Sequence, residues 1–501
     1  MSMQAPGGTW NGYPKGVYLL SFTELWERFS YYGMLALLVL FLTADTAAGG
    51  FGWDRPEALK LYGFYTGFIF SAPIIGGWLA NNHWGERRCI LTGGLLLVAG
   101  HACLAAPAVL PWIAGQLTGA DLHAVWVDAG VPLGAPFPDA ARVERLAAAA
   151  RAAGIDAGTT ELVYRLVALA FLGGLTLIAS GTALLKPTIS SIIGRFFDAG
   201  DERRDGAFAL FFVGIYIGGL SANFIVGFLG ERVAWHWGFS AAGFGMALGL
   251  CAYLLRQRAW LADLGRVAVR PERGALGNLS AEERARILAI LVQGLFTIAY
   301  AAAFYQKGGL LTLFAREQLD RGVGSLEVPV TWLLAISTGT FILVTPFLTR
   351  LWRQLALRGR DPDSATKLAW GLLIIGAGYV FIAFAVAHHP PGGPRASWGW
   401  LALTYVCFGI GDSLVWPTQI SMVSRLAPPA WSTFFVGAWY ITIGLGSWLT
   451  GYIGALGYSW GMFPVFASLA LALGVLGALL WCLTPWLAKL SREPRARAAG
   501  A

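Results

Sequence analysis

Residues 23–33 read TELWERFSYYG, and the apolar run that contains them continues through MLALLVLFL to Leu42. About 20 apolar residues in a helix cross the hydrocarbon layer of a bilayer, so a run of this length reads as a spanning helix. Three charges inside such a helix are an anomaly. A charged side chain at mid-membrane costs at least about 2.5–3.5 kcal/mol on insertion scales, so Glu24, Glu27 and Arg28 must face protein. Their spacing of three and four residues, extended to Tyr31, places them on one helix face. The stripe therefore predicts a polar cavity inside a helical bundle. A neutral ion-pair staple is the plainer reading. It is disfavoured because two carboxylates share one guanidinium, leaving an acid to be protonated or paired from another helix.

The rest of the chain agrees with a membrane bundle. Of 501 residues, 56% are hydrophobic and only 13% are charged, about half the charged fraction of a soluble domain. The 22 Trp suit interfacial belts. Twelve apolar stretches read as spanning helices, centred near Leu37, Phe70, Leu97, Leu177, Ile215, Leu248, Ile298, Phe341, Ile374, Phe408, Ile443 and Leu473. The polar segment Met1–Gly16 and the long, charged run after it do not resemble a signal peptide.

With the N-terminus placed in the cytoplasm, more than twice as many Lys and Arg fall inside as outside. This asymmetry accounts for the net charge of +8 without nucleic acid. An even helix count returns the basic tail, residues 491–501, to the same side. A polar, basic linker at 256–286 divides the chain into a six-helix half at 1–255 and another at 287–490. Two six-helix halves are the layout of major-facilitator transporters, so the expected fold is all-α and integral to the membrane. Residues 116–160 form an external insertion in the first half, whose Arg142–Ala153 stretch reads as a short solvated helix.

Other intramembrane charges complete the set. Lys186 lies in IASGTALLKPTISSIIG, where Pro187 removes a backbone donor and loosens the helix. It is a candidate partner for the unmatched acid. Lys307 ends the seventh apolar run, and Asp412 interrupts the tenth. Three acids and three bases drawn from both halves describe one central cavity with titratable groups. The five Cys and six His show neither metal-ligand spacing nor a nucleophile context, which disfavours a membrane enzyme.

The segment TELWERFSYYG resembles the E-x-x-E-R-F-x-Y-Y-G signature of the proton-coupled oligopeptide transporter family. YGFYTGFIFSAPIIGGWLANNHWGERR, SGTALLKPTISSIIG, GDSLVWPTQISMVSRLAPP and GAWYITIGLGSWLTGYIG resemble its second, fourth, tenth and eleventh helices. The resemblance implies that Glu24, Glu27, Arg28 and Lys186 couple proton movement to transport. It implies that Tyr31, Tyr32 and Trp439 line the peptide site. Asp412 stands where the family usually has a Glu that receives the peptide amino group. It further implies a small peptide or peptide-like substrate, the proton as coupling ion with no other cofactor, and a monomer in a bacterial inner membrane.

Departures from the pattern concentrate on substrate recognition. Leu35 replaces an Arg that helps hold the peptide carboxylate. Tyr305 replaces an acid and Ala301 an aromatic residue. Tyr216 and Ser337 replace asparagines, and Asn81 an aspartate. With the Arg gone, Lys186 and Lys307 are the cations left for a carboxylate. Lys307 and Asp412 are expected to pair in the empty site, with Tyr305 adding apolar area for a bulkier ligand. Retained coupling residues beside altered recognition residues keep a second reading open: a facilitator or exporter of a non-peptide solute on the same fold.

The charge asymmetry yields a test of orientation. A cysteine at Ala147, in the insertion, is expected to react with an impermeant reagent applied outside intact cells. Labelling only after permeabilisation would invert the topology.

Overall fold

The computed structural model describes residues 7–119, 121–134, 140–197, 201, 203–268, 279–390, 392–428 and 431–491. The chain is almost wholly helical. Among the described residues, eleven helices have the length and apolar composition to cross a membrane. They begin with Lys15–Thr43, Arg55–Trp84 and Glu86–Thr118, followed by Ala157–Gly194, Arg203–Val233 and Trp235–Leu261. The second half supplies Ala281–Gln318, Val330–Leu357, Ser364–His388, Gly399–Leu426 and Met462–Leu490. Ser432–Ser459 is a further helix of 28 residues, lowered in hydropathy by its Gly, Ser, Thr, Trp and Tyr. It takes the eleventh place, and twelve spanning helices result. Each centre read from hydropathy falls inside one of them.

Both termini emerge at one end of the bundle and the insertion at the other. Within the first half, the first helix packs on the fifth and sixth, and the third on the fourth and sixth. In the second half the ninth packs on the tenth and twelfth, and the eighth on the tenth. The halves meet where the second helix crosses the eleventh and the fifth meets the eighth. Glycine permits the closer of these crossings. A Cβ built on Gly63 would lie 2.5 Å from the backbone N of Gly451, and one on Gly67 would lie 2.8 Å from the carbonyl of Gly444. Small residues let two backbones approach in lipid, where packing rather than hydrophobicity drives helix association.

The insertion is more structured than its composition suggests. The third helix runs on to Thr118, the fourth begins at Ala157, and two short helices lie between them, Leu122–Ala129 and Ala140–Ala152. The helix expected at Arg142–Ala153 is thus present with shifted bounds, but it is not merely solvated. Leu146 and Ala150 are buried on one face while Glu144 and Arg145 stay exposed. Ala148, exposed beside the half-buried Ala147, is the better site for the labelling reporter. The helix at Leu122–Ala129 is capped by Asp121, which accepts from the backbone N–H of His123 and Ala124, and it buries Trp126 completely. His123 Nε2 lies 3.0 Å from the Thr46 carbonyl, and Trp53 Nε1 donates to the Leu133 carbonyl at 2.5 Å. These bonds fasten the insertion to the loop between the first two helices, inside its own half. Residues 269–278 of the expected linker and 492–501 of the expected tail lie outside the described residues.

At the insertion end the halves are held shut. Arg55 Nε meets Glu317 Oε1 at 3.0 Å, and Arg316 Nη1 donates to the Leu40 carbonyl at 2.9 Å. Glu231, on the fifth helix, accepts the backbone N–H groups of Val330 and Thr331, each at 2.9 Å. Its carboxylate thereby caps the eighth helix, where orphan donors and the helix dipole favour an anion.

The glycine crossing can be tested. Gly63→Ala is expected to force the second and eleventh helices apart and to lower stability by about 1–3 kcal/mol, as overpacking does. A melting temperature equal to wild type would show that the crossing tolerates a side chain.

Candidate functional site

A cavity of about 1100 Å³ occupies the middle of the bundle. It reaches the end that carries the termini, where Asn81, Glu86, Arg204 and Ser424 line it, and it is closed at the insertion end. Its walls come from helices 1, 2, 4, 5, 7, 8, 10 and 11, together with Glu86 at the start of the third. The sixth, ninth and twelfth helices form the outer layer and contribute none of the described lining residues.

Of the charged stripe of the first helix, Glu24 and Arg28 line this space, and Glu27 is buried beside them without reaching it. Glu24, Glu27 and Arg28 are 2%, 0% and 4% exposed. Arg28 Nε lies 2.9 Å from Glu24 Oε1 and 2.6 Å from Glu27 Oε2. Both acids thus lean on one nitrogen that carries a single N–H. Neither Glu27 oxygen, nor Arg28 Nη2, nor Glu24 Oε2 gains a hydrogen bond within the protein. The contact is one of charge more than of directed bonding, with hydrogen-bonding capacity to spare.

Arg28 engages both acids, so the unmatched acid expected to seek Lys186 is held on its own helix. Lys186 Nζ stands 4.2 Å from the ring centroid of Phe70 and 4.9 Å from that of Tyr440. Among the described residues no carboxylate lies within 4.0 Å of it. Aromatic faces stabilise an ammonium by about 0.5–2 kcal/mol, well short of a full ion pair in a dry site.

In the second half, Asp412 accepts a hydrogen bond from Tyr300 Oη, not a salt bridge from Lys307. The expected Lys307–Asp412 pair is not formed as a contact within 4.0 Å, and Oδ1 of Asp412 is taken by the Tyr300 phenol. Lys307 Nζ instead rests 3.8 Å over the Phe304 ring. The seventh helix tightens into a 3₁₀ turn at Tyr305–Gly308 before resuming at Leu310. Side chains answer the carbonyls this break frees. Tyr62 Oη donates to the Tyr305 carbonyl at 3.0 Å, and Thr312 Oγ1 and Tyr405 Oη donate to that of Lys307 at 2.7 and 3.2 Å.

The remaining expected site residues divide. Tyr32, Tyr305, Lys307 and Asp412 line the cavity. Tyr31 and Trp439 do not: each is buried behind the wall, with its polar atom unpartnered. Trp439 borders a separate, largely apolar cleft of about 300 Å³ between the seventh and eleventh helices. Its neighbours Trp416 and Tyr440 take the wall position. Of the replaced positions, Leu35, Tyr216, Ser337 and Asn81 line the cavity, Tyr216 stacked on Phe341 at 4.3 Å, whereas Ala301 is buried away from it. Tyr300 and Glu86 were not singled out from the sequence. An aromatic residue in an apolar helix carries no distinguishing signal, and Glu86 lies in a charged turn. Glu86 is 2% exposed and holds Ser191 Oγ at 2.9 Å and Arg195 Nη2 at 2.5 Å.

Two six-helix halves around a charged central cavity, open at one end and clasped at the other, define a transporter of the major-facilitator fold. The POT family model matches residues 87–262 and 275–461, and the protein belongs to that family. It is 27% identical to the peptide transporter YePEPT of Yersinia enterocolitica, with 90% of each chain covered. It is 26% identical to the uncharacterized transporter YclF of Bacillus subtilis, covering 95% of this chain and 94% of that one. A solved peptide transporter POT variant in complex with alafosfalin superposes with a TM-score of 0.80 at 25% identity, over 98% of this chain and 99% of that one.

The triad makes a stability prediction. Arg28→Met strands two buried carboxylates and is expected to cost about 3–5 kcal/mol. Adding Glu24→Gln and Glu27→Gln is expected to recover most of the loss in a thermal melt. A triple variant no more stable than Arg28→Met would mean that Arg28 acts by packing.

Proposed function

We propose that this protein is a secondary active transporter that carries small peptides or peptide-like solutes in symport with protons, by alternating access. The observation that carries the reading is the Glu24–Arg28–Glu27 cluster, whose Glu24 and Arg28 line the central cavity with Glu27 buried beside them, in a member of a peptide-transporter family. A carboxylate leaning on a guanidinium loses its proton as the pair forms and regains it when the pair opens. Two acids on one guanidinium make that exchange easy, because either can be released while the other keeps Arg28 compensated. Lys186, on the facing fourth helix, is placed to take part as the half moves.

In this reading the two halves rock about the cavity, and the structure is the state open toward the termini. The charge asymmetry favours that end as cytoplasmic and the insertion as external, and the bacterial relatives support an inner membrane. The proton is the sole coupling species, with no metal or organic cofactor, and one chain is the working unit. Asp412 and Tyr300 offer an anionic, hydrogen-bonding site for a peptide amino group. The Leu35, Tyr216 and Ser337 positions all face the substrate space, so its range is expected to differ from that of relatives with the usual residues there.

Reconstituted liposomes test the assignment. An inward proton gradient is expected to drive dipeptide accumulation in wild type. Glu24→Gln, Glu27→Gln and Lys186→Ala are expected to lose most gradient-driven accumulation, while substrate exchange without a gradient falls less. Undiminished accumulation in all three variants would refute the coupling role.

A further inference from the structure

The cleft that Trp439 borders differs from the central cavity in both chemistry and setting. It is largely apolar and holds about 300 Å³ between the seventh and eleventh helices. On the seventh helix it is lined by Leu288, Leu291, Leu295 and Ile298, whose spacing of three and four residues places them on one face. The three leucines are exposed, so the cleft opens on the outer surface of the bundle, where lipid lies. At 1.5 Å per residue the stripe runs about 15 Å, half of a hydrocarbon core roughly 30 Å thick. It begins near the end that carries the termini, so the cleft is as deep as the leaflet on that side.

A cation stands at the head of the stripe. Arg284 continues it by one turn beyond Leu288 and is exposed. Its long side chain reaches the headgroup level from there. The acids beside it do not cancel it. Glu283 turns back on Ser280 in a capping box, and Glu282 lies about 200° round the helix from Arg284. The inner wall of the cleft is the eleventh helix, which also walls the cavity. Phe435, Ala438 and Trp439 face the cleft, while Phe434, Gly437 and Tyr440 line the cavity. Trp439 packs on Trp416 and Tyr440 with ring centroids 5.2 and 5.3 Å away, and Lys186 Nζ rests on the Tyr440 ring. A molecule in the cleft thus packs directly behind the rings that hold Lys186.

We propose that the cleft binds one anionic phospholipid of that leaflet, with an acyl chain along residues 288–298 and the headgroup phosphate on Arg284. The site is independent of what the transporter carries. A chain in the cleft supplies dispersion contacts that the facing side chains otherwise lack. The guanidinium forms charge-assisted hydrogen bonds with a phosphate, and these add to the general attraction of basic residues for an anionic surface. A choline headgroup brings its own cation beside Arg284 and loses part of that gain. A bound lipid stabilises the present arrangement of the seventh and eleventh helices by mass action.

The test measures melting temperatures of the detergent-purified full-length protein in mixed micelles, against rising phosphatidylglycerol or phosphatidylcholine of the same acyl chains. Wild type is expected to gain several degrees, saturably, with phosphatidylglycerol and clearly less with phosphatidylcholine. Arg284→Gln is expected to lose the difference between the two lipids. Ala438→Phe, which fills the cleft from the eleventh helix, is expected to lose the response to both. Lys489→Gln removes an exposed charge at the termini end of the twelfth helix and is expected to respond as wild type, which separates Arg284 from general attraction to an anionic micelle. Equal shifts with the two lipids in wild type overturn the proposal, since the cleft then takes acyl chains or detergent without regard to headgroup. A difference that survives in Arg284→Gln, or that is lost equally in Lys489→Gln, also overturns it, and so does a full response in Ala438→Phe. Arg284→Gln changes a surface side chain and keeps the test decisive if Ala438→Phe does not fold.

Discussion

Everything in this molecule is arranged around the requirement that Arg28, Glu24 and Glu27 never face lipid. Moving one such group to mid-bilayer costs at least about 2.5–3.5 kcal/mol, a large fraction of the 5–15 kcal/mol that holds a typical domain together. The first helix must consequently be a central one, covered by the fifth and sixth and facing across to the seventh and tenth. Once that position is set, the other charged positions of Lys186, Lys307 and Asp412 have only one polar volume to share. The outer helices are free to be uniformly apolar, and among the described lining residues the sixth, ninth and twelfth contribute none.

Much of this could be read from the chain because charge and hydropathy are loud signals in a membrane protein. The twelve spans, the two halves and the residues Glu24, Glu27, Arg28, Lys186, Lys307 and Asp412 all stand out as interruptions in apolar runs. Quieter residues did not. Tyr300 determines what Asp412 does, but nothing separates it from the other aromatic residues of the seventh helix. Trp439 and Tyr440 are neighbours about 100° apart around one helix, and only packing against Trp416 decides which faces the cavity. The helix at Leu122–Ala129 is short, so its stability comes from burying Leu122, Val125 and Trp126 rather than from any periodicity of its own. Partner choice was the hardest matter to read. Which base meets which acid depends on ångströms, and the hydrogen bond from Tyr300 to Asp412 leaves no trace in spacing.

Closure at the insertion end combines two kinds of contact with different tolerances. Glycines 63, 67, 444 and 451 bring the second and eleventh helices to backbone contact. Beside it, Glu231 and the Arg55–Glu317 pair bind through groups close to water, where ion pairs contribute about 0–1 kcal/mol each. Close glycine contacts and weak bonds suit an interface that must separate and re-form in every cycle.

The distribution of formal charge has an electrical consequence. In the first half, Glu24 and Glu27 balance Arg28 and Lys186; in the second, Asp412 balances Lys307. Each half is neutral at mid-bundle when its acids are ionised. A charge moved through a membrane potential exchanges about 2.3 kcal/mol per 100 mV, but a neutral half swinging through the field exchanges almost nothing. The return of the empty carrier is thereby insensitive to voltage, and any current must arise in the step that carries proton and substrate together.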